Sequence, residues 1–308
     1  MRNSNLKVSK VYNTGGFKIT ELELQIKNLS TEFECYQAIQ LSDLHLGAYT
    51  SPDLIDKAID ISMSLKPNIF LLTGDYVHVG RKEVRELLFK AFGPEVSRFR
   101  HYRRLARHAA ISLSEKLERL EAPDGILGIW GNHDYLEGIR TLKKYLPRSI
   151  KWLRNDVHLI KRGHTSLIIS GIDDFRYGDP NLAKMKNSIN ETEKQVTNSD
   201  ITLSSAVKII LSHNPDSVLL PDSELLKEYD LMLSGHTHGG QICLPGSIPV
   251  KSETKQKKFR SSLCHFGKLP IYISNGIGCS GIPLRLFCPP EIVVVRLTCI
   301  NNCQKINR

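Results

Sequence analysis

The sequence predicts an α/β fold, and two observations carry that expectation. Short apolar runs of strand length recur along the chain, each stopping abruptly at glycine or a polar residue. A segment with helical spacing separates two of the earliest runs, so the chain opens as a β–α–β unit. The clearest run, Ile69-Phe70-Leu71-Leu72, ends in Thr73-Gly74-Asp75. It reads as a buried strand that presents one carboxylate at its C-terminal end, the edge where α/β sheets build their sites.

In chain order, residues 17–26 alternate apolar and polar, as a half-buried strand does. Residues 35–41 form a second strand and run straight into Ser42-Asp43-Leu44-His45-Leu46-Gly47. Helical spacing over 52–65, with Leu54, Ile55, Ala58, Ile59, Ser62 and Met63, begins after Ser51-Pro52. Residues 82–121 interrupt the rhythm. Val84, Leu87, Leu88 and Ala91 predict a short helix broken at Gly93-Pro94. A longer one follows with Phe99, Tyr102, Leu105, Ala106, Ala109, Leu113, Leu117 and Leu120 on one side, and Arg98, Arg100, Arg103, Arg104 and Arg107 on the others. This basic helical hairpin reads equally as a packing helix with a charged outer face and as a lid or membrane-facing cap.

The α/β rhythm then resumes. Residues 125–130 form a strand ending in Gly131-Asn132-His133-Asp134, followed by a helix near 137–146. Strands near 157–161 and 166–171 lead to Gly171-Ile172-Asp173-Asp174, and a polar helix and linker fill 180–206. The strand 207–212 ends at His213. The strand 229–234 ends in Gly235-His236-Thr237-His238-Gly239-Gly240, and strands near 270–274 and 291–298 finish the chain. The expected organisation is one domain over 1–308 with a lid-like insertion at about 82–121.

With 308 residues and 41% apolar content, the chain can bury a substantial core. The net charge is +10 and is uneven: residues 81–121 carry eleven Lys/Arg against six Asp/Glu, and residues 251–260 five against one. Such patches favour anionic partners, here an acidic membrane surface or a phosphate-rich substrate. No nucleic-acid recognition motif accompanies the charge. Seven scattered cysteines without a CxxC pair fit free thiols in a reducing compartment. No apolar run spans a bilayer, and Met1 to Lys10 lack an apolar signal core. A cytoplasmic protein peripheral to the inner membrane is expected.

The chemistry gathers in five strand-end clusters: Asp43-Leu44-His45, Gly74-Asp75, Gly131-Asn132-His133-Asp134, His213 and Gly235-His236-Thr237-His238. One histidine is usually a satisfied core or surface residue, but five clusters at the ends of apolar strands are not explained that way. Mixed oxygen and imidazole donors suit Mn, Fe, Zn or Co. Seven ligands exceed one ion's needs, and a shared carboxylate lets them serve two. Two ions roughly 3.5–4 Å apart can clamp a phosphate and activate water for in-line attack.

In that order these clusters resemble the signature of the calcineurin-like metallophosphoesterases, over roughly residues 35–298. The resemblance implies a four-layer αββα sandwich of mixed sheets, here with an inserted helical hairpin. It assigns Asp43, His45, Asp75 and His238 to one metal and Asp75, Asn132, His213 and His236 to a second, with manganese the expected ion. It makes His133 the acid that protonates the leaving oxygen or steadies the transition state, with Asp134 orienting it. The segments Gly235 to Pro245, Ser274 to Gly278 and Pro283 to Glu291 resemble a bacterial, membrane-associated phosphodiesterase subgroup. The chain has Val77-His78-Val79-Gly80 where protein phosphatases of the superfamily carry Asp-Arg-Gly, which argues against a phosphoprotein substrate. His78 stands where the subgroup usually has aspartate.

With the basic insertion, the subgroup resemblance implies cleavage of a nucleotide-linked glycolipid, UDP-2,3-diacylglucosamine, to UMP and the acylated sugar 1-phosphate. Arg81, Phe99, Arg103, Arg104 and Arg107 would meet that substrate. Two alternatives are a broader phosphodiesterase acting on phospholipid head groups or nucleotides, and a binding scaffold without activity. The complete ligand set opposes the scaffold.

Overall fold

A computed structural model describes residues 4–80, 91, 100–196, 206–246, 248–250, 254–256, 259 and 262–300. Two sheets share its central core. The first runs in the order β1 (Ser4–Thr14), β2 (Phe17–Ile26), β17 (Glu291–Cys299), β3 (Gln37–Leu41), β5 (Ile69–Leu72), β7 (Ile126–Gly128), β8 (Ile150–Trp152). The second runs β15 (Ser262–Phe266), β16 (Leu269–Ile273), β12 (Leu231–Ser234), β11 (Val207–Leu211), β10 (Thr165–Gly171), β9 (Asp156–Arg162).

The strands sort their side chains by period two. In β5, Ile69 and Leu71 enter the core between the sheets, while Phe70 and Leu72 enter an outer core. All four are buried, which is why this strand reads as a continuous apolar run. Each such side chain contributes roughly 1.5–3 kcal/mol. Leu231 and Leu233 of β12 face the same central core, and Met232 faces the opposite outer one.

Helices cover both outer faces. On the first sheet lie α1 (Pro52–Ser64), α2 (Arg100–Leu117) and α4 (Ile139–Tyr145), through Ile55, Ala110, Leu113 and Leu142 among others. On the second lies α5 (Leu182–Val196), through Leu182, Met185 and Ile189. The result is the four-layer α/β/β/α arrangement that the family resemblance implies. Ser51 caps α1 by accepting the Leu54 N–H at 3.3 Å, a contact worth about 1 kcal/mol, and Pro52 opens the helix.

Three expectations are revised. The helix expected near 137–146 begins earlier, as α3 (Asn132–Glu137), and breaks at Gly138, whose φ of 97° lies outside the helical region. The N-terminal strand β1 was not foreseen; only Leu6 in it is buried, so it carries almost no apolar alternation. Strand β15, mostly half-exposed, was likewise missed.

The longer insertion helix is α2. Ala106, Ala110, Leu113 and Leu117 bury one side, while Arg103, Arg104 and Arg107 are exposed. Lys116 and Arg119 pin its end to Asp56 of α1 at 2.5 and 2.8 Å. It also touches α3 and the short strands β4 (Leu46–Gly47) and β6 (Val77–His78), which continue directly from two of the polar turns. Arg81, Val84, Leu87, Leu88, Phe89, Phe92, Gly93, Pro94 and Phe99 lie outside the described residues. No helix among the described residues is long and apolar enough to cross a membrane.

Candidate metal centre

All five polar clusters arrive at one edge. β3, β5 and β7 run parallel in the first sheet, and β11 and β12 run parallel in the second. Each ends in a ligand-bearing turn. The Gln40 side-chain amide donates to Thr73 Oγ1 and to the Ser234 carbonyl, both at 2.9 Å, and so ties the two sheets together at this edge.

The turns are tight enough to require unusual backbone. Asp43, His45, Asp75, His236 and His238 all have φ between 46° and 70°. Non-glycine residues adopt this left-handed region sparingly, and such positions concentrate at functional sites. Close approach adds a second constraint. A side chain at Gly131 would put Cβ 2.3 Å from Asp75 Oδ1, and one at Gly235 would lie 2.0 Å from Ser42 Oγ. Both glycines let strand ends approach until their neighbours' side chains meet.

Two groups of ligand atoms result. In the first, His45 Nε2 and His238 Nε2 are 3.0 Å apart, and both face Asp43 Oδ1, at 3.8 and 3.4 Å. In the second, Asn132 Oδ1 lies 3.1 Å from His213 Nε2 and 2.7 Å from His236 Nδ1. Between them stands Asp75. Its Oδ2 is 3.4 Å from His45 Nε2 and 3.2 Å from His213 Nε2, while Oδ1 accepts the His133 N–H at 2.8 Å. These residues are buried, with Asp43 and His45 at 0% exposure.

The arrangement fits metal ions on its own chemistry. Imidazole nitrogens converging on carboxylate and amide oxygens leave several lone pairs aimed at common points, which a cation satisfies. His213 donates Nδ1–H to the Thr73 carbonyl at 2.8 Å, which fixes Nε2 as its lone-pair nitrogen. The Asn132 Nδ2 atom is buried without a hydrogen-bond partner among the described residues, consistent with an amide placed for its oxygen. The donor set, three carboxylate or amide residues and four imidazoles, suits borderline divalent ions.

Electrostatics agree with that use. Burial lowers the His45 imidazole, but the Asp43 and Asp75 carboxylates overcome it and raise it to about 9. In the same way Asp75 raises His213 to about 10. Burial, His45 and Arg285 push His238 down to about 3 against the pull of Asp43. Asp43 and Asp75 resist a burial that raises them, and the facing histidines hold both below the usual carboxylate range. Without metal, His45 and His213 are therefore protonated at neutral pH, and a ligand must release its proton to bind. Metal loading at pH 7 should release protons, and apparent affinity should weaken as pH falls. Titration calorimetry in buffers of different ionisation enthalpy reads this directly; proton-free loading at pH 7 would contradict it. The sign for the metal-free fold is opposite. The raised histidines stabilise it fully below their unfolded value of about 6.5, and that help is lost as pH rises through about 9–10.

His133 follows Asn132 at the start of α3. Its ring packs edge-on against His45, with centroids 4.8 Å apart, and against His78 at 4.5 Å. Asp134 was expected to orient that ring. Its carboxylate instead accepts three backbone amides: Gly131 at 2.7 Å, Asp75 at 2.9 Å and Tyr76 at 2.9 Å. It joins the Asp75 turn to the peptide that carries Asn132 and His133, so it positions His133 through the backbone. Burial and the Asp75 charge push Asp134 up to about 8, with the three amides pulling it down. His78 Nε2 donates to the Gly80 carbonyl at 2.8 Å. An imidazole thus stands in the position where the resembling subgroup carries a carboxylate.

Two residues at the centre had been given no role. Arg285 donates to the carbonyls of Asn275 at 2.8 Å and Gly278 at 3.0 Å, and reaches the His238 carbonyl at 3.3 Å. Its signal was the Pro283-Leu284-Arg285 segment, quoted only as a subgroup marker. Asp174, 1% exposed, accepts the Arg176 and Tyr177 N–H groups through Oδ2. Its Oδ1 has no hydrogen-bond partner among the described residues, and burial raises the group to about 6 against the pull of His213. Its position at a strand end was visible in the sequence, but nothing separated it from an ordinary turn residue.

The fold and this edge are those of a metal-dependent phosphoester hydrolase. Residues 37–240 match the calcineurin-like phosphoesterases, and the chain belongs to that family. A metallophosphoesterase of Campylobacter jejuni is 28% identical over 287 residues, covering 91% of this chain and 63% of that protein's length. The phosphodiesterase YaeI of Escherichia coli is 27% identical, over 85% of this chain and 82% of that one. The UDP-2,3-diacylglucosamine pyrophosphatase LpxG of Chlamydia muridarum is 26% identical, over 91% and 88%.

Proposed function

We propose that the chain hydrolyses the pyrophosphate of UDP-2,3-diacylglucosamine at a cytoplasmic membrane surface, giving UMP and 2,3-diacylglucosamine 1-phosphate. The observation that carries the hydrolytic part is Asp75 Oδ2, which faces a ligand histidine on each side and so can belong to two ions. Similarity to LpxG over nearly the whole of both chains supports the substrate. The exposed Arg103 and Arg104 of α2 supply positive charge beside the elements that flank the centre.

In this reading Asp43, His45, Asp75 and His238 hold one divalent ion and Asp75, Asn132, His213 and His236 the other, both manganese. When bound, such a pair supplies the Lewis acidity that activates water and offsets phosphate charge. The chain does the rest. The buried ligand turns exclude bulk water and fix where the diphosphate sits. Water adds to one phosphorus, the bridging P–O bond breaks, and His133 protonates the leaving oxygen or hydrogen-bonds its growing charge. The similarity to YaeI favours a second reading, a phosphodiesterase with a broader range of lipid or nucleotide substrates.

One comparison separates the two. Purified protein with manganese is offered UDP-2,3-diacylglucosamine and a small aryl phosphodiester side by side. A strong preference for the glycolipid supports the first reading, and equal or reversed preference supports the second. Charge reversal on α2 extends the test. Arg103→Glu with Arg104→Glu and Arg107→Glu should impair glycolipid turnover, since each basic residue contributes about 1 kcal/mol near an acidic leaflet. The same should hold for Tyr102→Ser with Phe99→Ser. Hydrolysis of the soluble diester should be largely kept. Equal losses on both substrates would make α2 a support of the fold, and no loss would make it a solvated surface.

A further inference from the structure

Seven of the twelve large apolar side chains exposed among the described residues lie in two loops beside the metal centre. One is the hairpin of β13 (Cys243–Leu244) and β14 (Ile248–Pro249), continued to Val250; the other is the loop 280–288. Leu244, Ile248 and Val250 are 53–64% exposed on the first, and Ile282, Leu284 and Phe287 are 47–53% exposed on the second. Scattered single apolar residues need no explanation, but a concentration of this kind marks a contact surface.

The two loops form one unit. The Cys243 N–H donates to the Leu286 carbonyl at 2.9 Å, and the Leu286 N–H to the Gln241 carbonyl at 3.0 Å. The Gln241 side chain bonds Ser280 through both its carbonyl and its amide, and Ile282 through its amide. The unit is also anchored to the ligand turn. Arg285 and the Cys288 thiol both donate to the His238 carbonyl, and Pro249 packs so closely on Gly240 that a Cβ there would lie 2.4 Å away. The apolar side chains are thus held outward on a bonded platform rather than on a floppy tip. The platform lies beyond residues 37–240, the span that matches the family.

Charge indicates the occupant. Val250 leads directly into residues 251–260, which carry five Lys/Arg and one acidic residue, and Lys255 there is exposed. Exposed apolar side chains continued in sequence by a lysine- and arginine-rich segment are the composition that enters an anionic lipid interface, with apolar chains at the acyl boundary and cations at the headgroups.

We propose that this platform docks on an anionic lipid bilayer and thereby holds the metal centre against the leaflet. The inference rests on the membrane placement in the proposed function but not on the glycolipid as substrate, and its test uses no lipid hydrolysis. The full metal-loaded chain is sedimented with sucrose-loaded vesicles of phosphatidylcholine alone or with phosphatidylglycerol. The expected result is binding to the anionic vesicles and weaker binding to the neutral ones. Leu244→Ser with Ile248→Ser, and separately Ile282→Ser with Leu284→Ser, should each lower partitioning by roughly tenfold or more. Turnover of a soluble aryl phosphodiester and the melting temperature should be unchanged. If one pair lowers the melting temperature, the other decides. Failure of the unaltered chain to bind anionic vesicles, or equal binding by a folded pair, overturns the proposal. So does a dimer, seen by analytical ultracentrifugation, that these pairs dissociate without changing vesicle binding.

Discussion

Replacing Asp75 with alanine should empty both metal sites and abolish hydrolysis. The carboxylate stands between the two ligand groups, 3.4 Å from His45 Nε2 and 3.2 Å from His213 Nε2. Its loss removes one ligand from each group and the negative charge between two clusters of imidazoles. Alanine also deprives the His133 N–H of its acceptor, at about 1–3 kcal/mol for a buried donor. Asp75→Asn keeps an acceptor there and removes only the charge, so it separates metal loss from unfolding. Elemental analysis after desalting should find no stoichiometric metal in either variant, with circular dichroism confirming the fold. By contrast, Asp43→Ala should weaken one ion and His213→Ala the other. Two ions still bound to Asp75→Ala would remove the dinuclear assignment.

His133→Ala should keep both ions and lower turnover by roughly 10²–10⁴, the range for loss of a general acid. The prediction rests on placement. His133 packs on the ring of ligand His45, and its own backbone is fixed by Asp75 and, through Gly131, by Asp134. Removing the imidazole therefore touches the reacting region without removing an assigned ligand. The loss should grow with the basicity of the leaving group. Near-normal turnover of a substrate with a poor leaving group would show that His133 is not the acid.

The assembly of the centre was legible because each ligand turn follows an apolar strand and is punctuated by glycine, and parallel β–α–β connections bring such ends to one edge. Asp43, His45 and Asp75 could be placed near one another from that rule alone, whereas His213 follows a strand of the other sheet. The pairing of the ligands needed more, and it came from the order of the motifs as a family signature. Other features left weaker traces. Strand β1 is exposed on nearly every residue, so its periodicity is nearly silent. Asp134 was given to His133 by the family resemblance, and sequence does not show which backbone amides surround a carboxylate. Arg285 acts on main-chain carbonyls, one of them that of distant His238, and no side-chain pattern announces such a bond. The exposure of Leu244, Ile248 and Leu284 has no counterpart in the sequence pattern.

The division of the ligands between the two sheets has a consequence for the protein's lifetime. The first sheet supplies Asp43, His45, Asp75 and Asn132, and the second supplies His213, His236 and His238. Polar bonds already cross at the same edge, from the Gln40 amide to the Ser234 carbonyl at 2.9 Å and from His213 Nδ1–H to the Thr73 carbonyl at 2.8 Å. Cations held by both sets would act as rivets across the seam, and their binding energy would add to the stability of the folded sandwich. Scarcity of metal should then do more than idle the catalyst: with that binding energy withdrawn, the folded chain should be less stable and more often open to proteases.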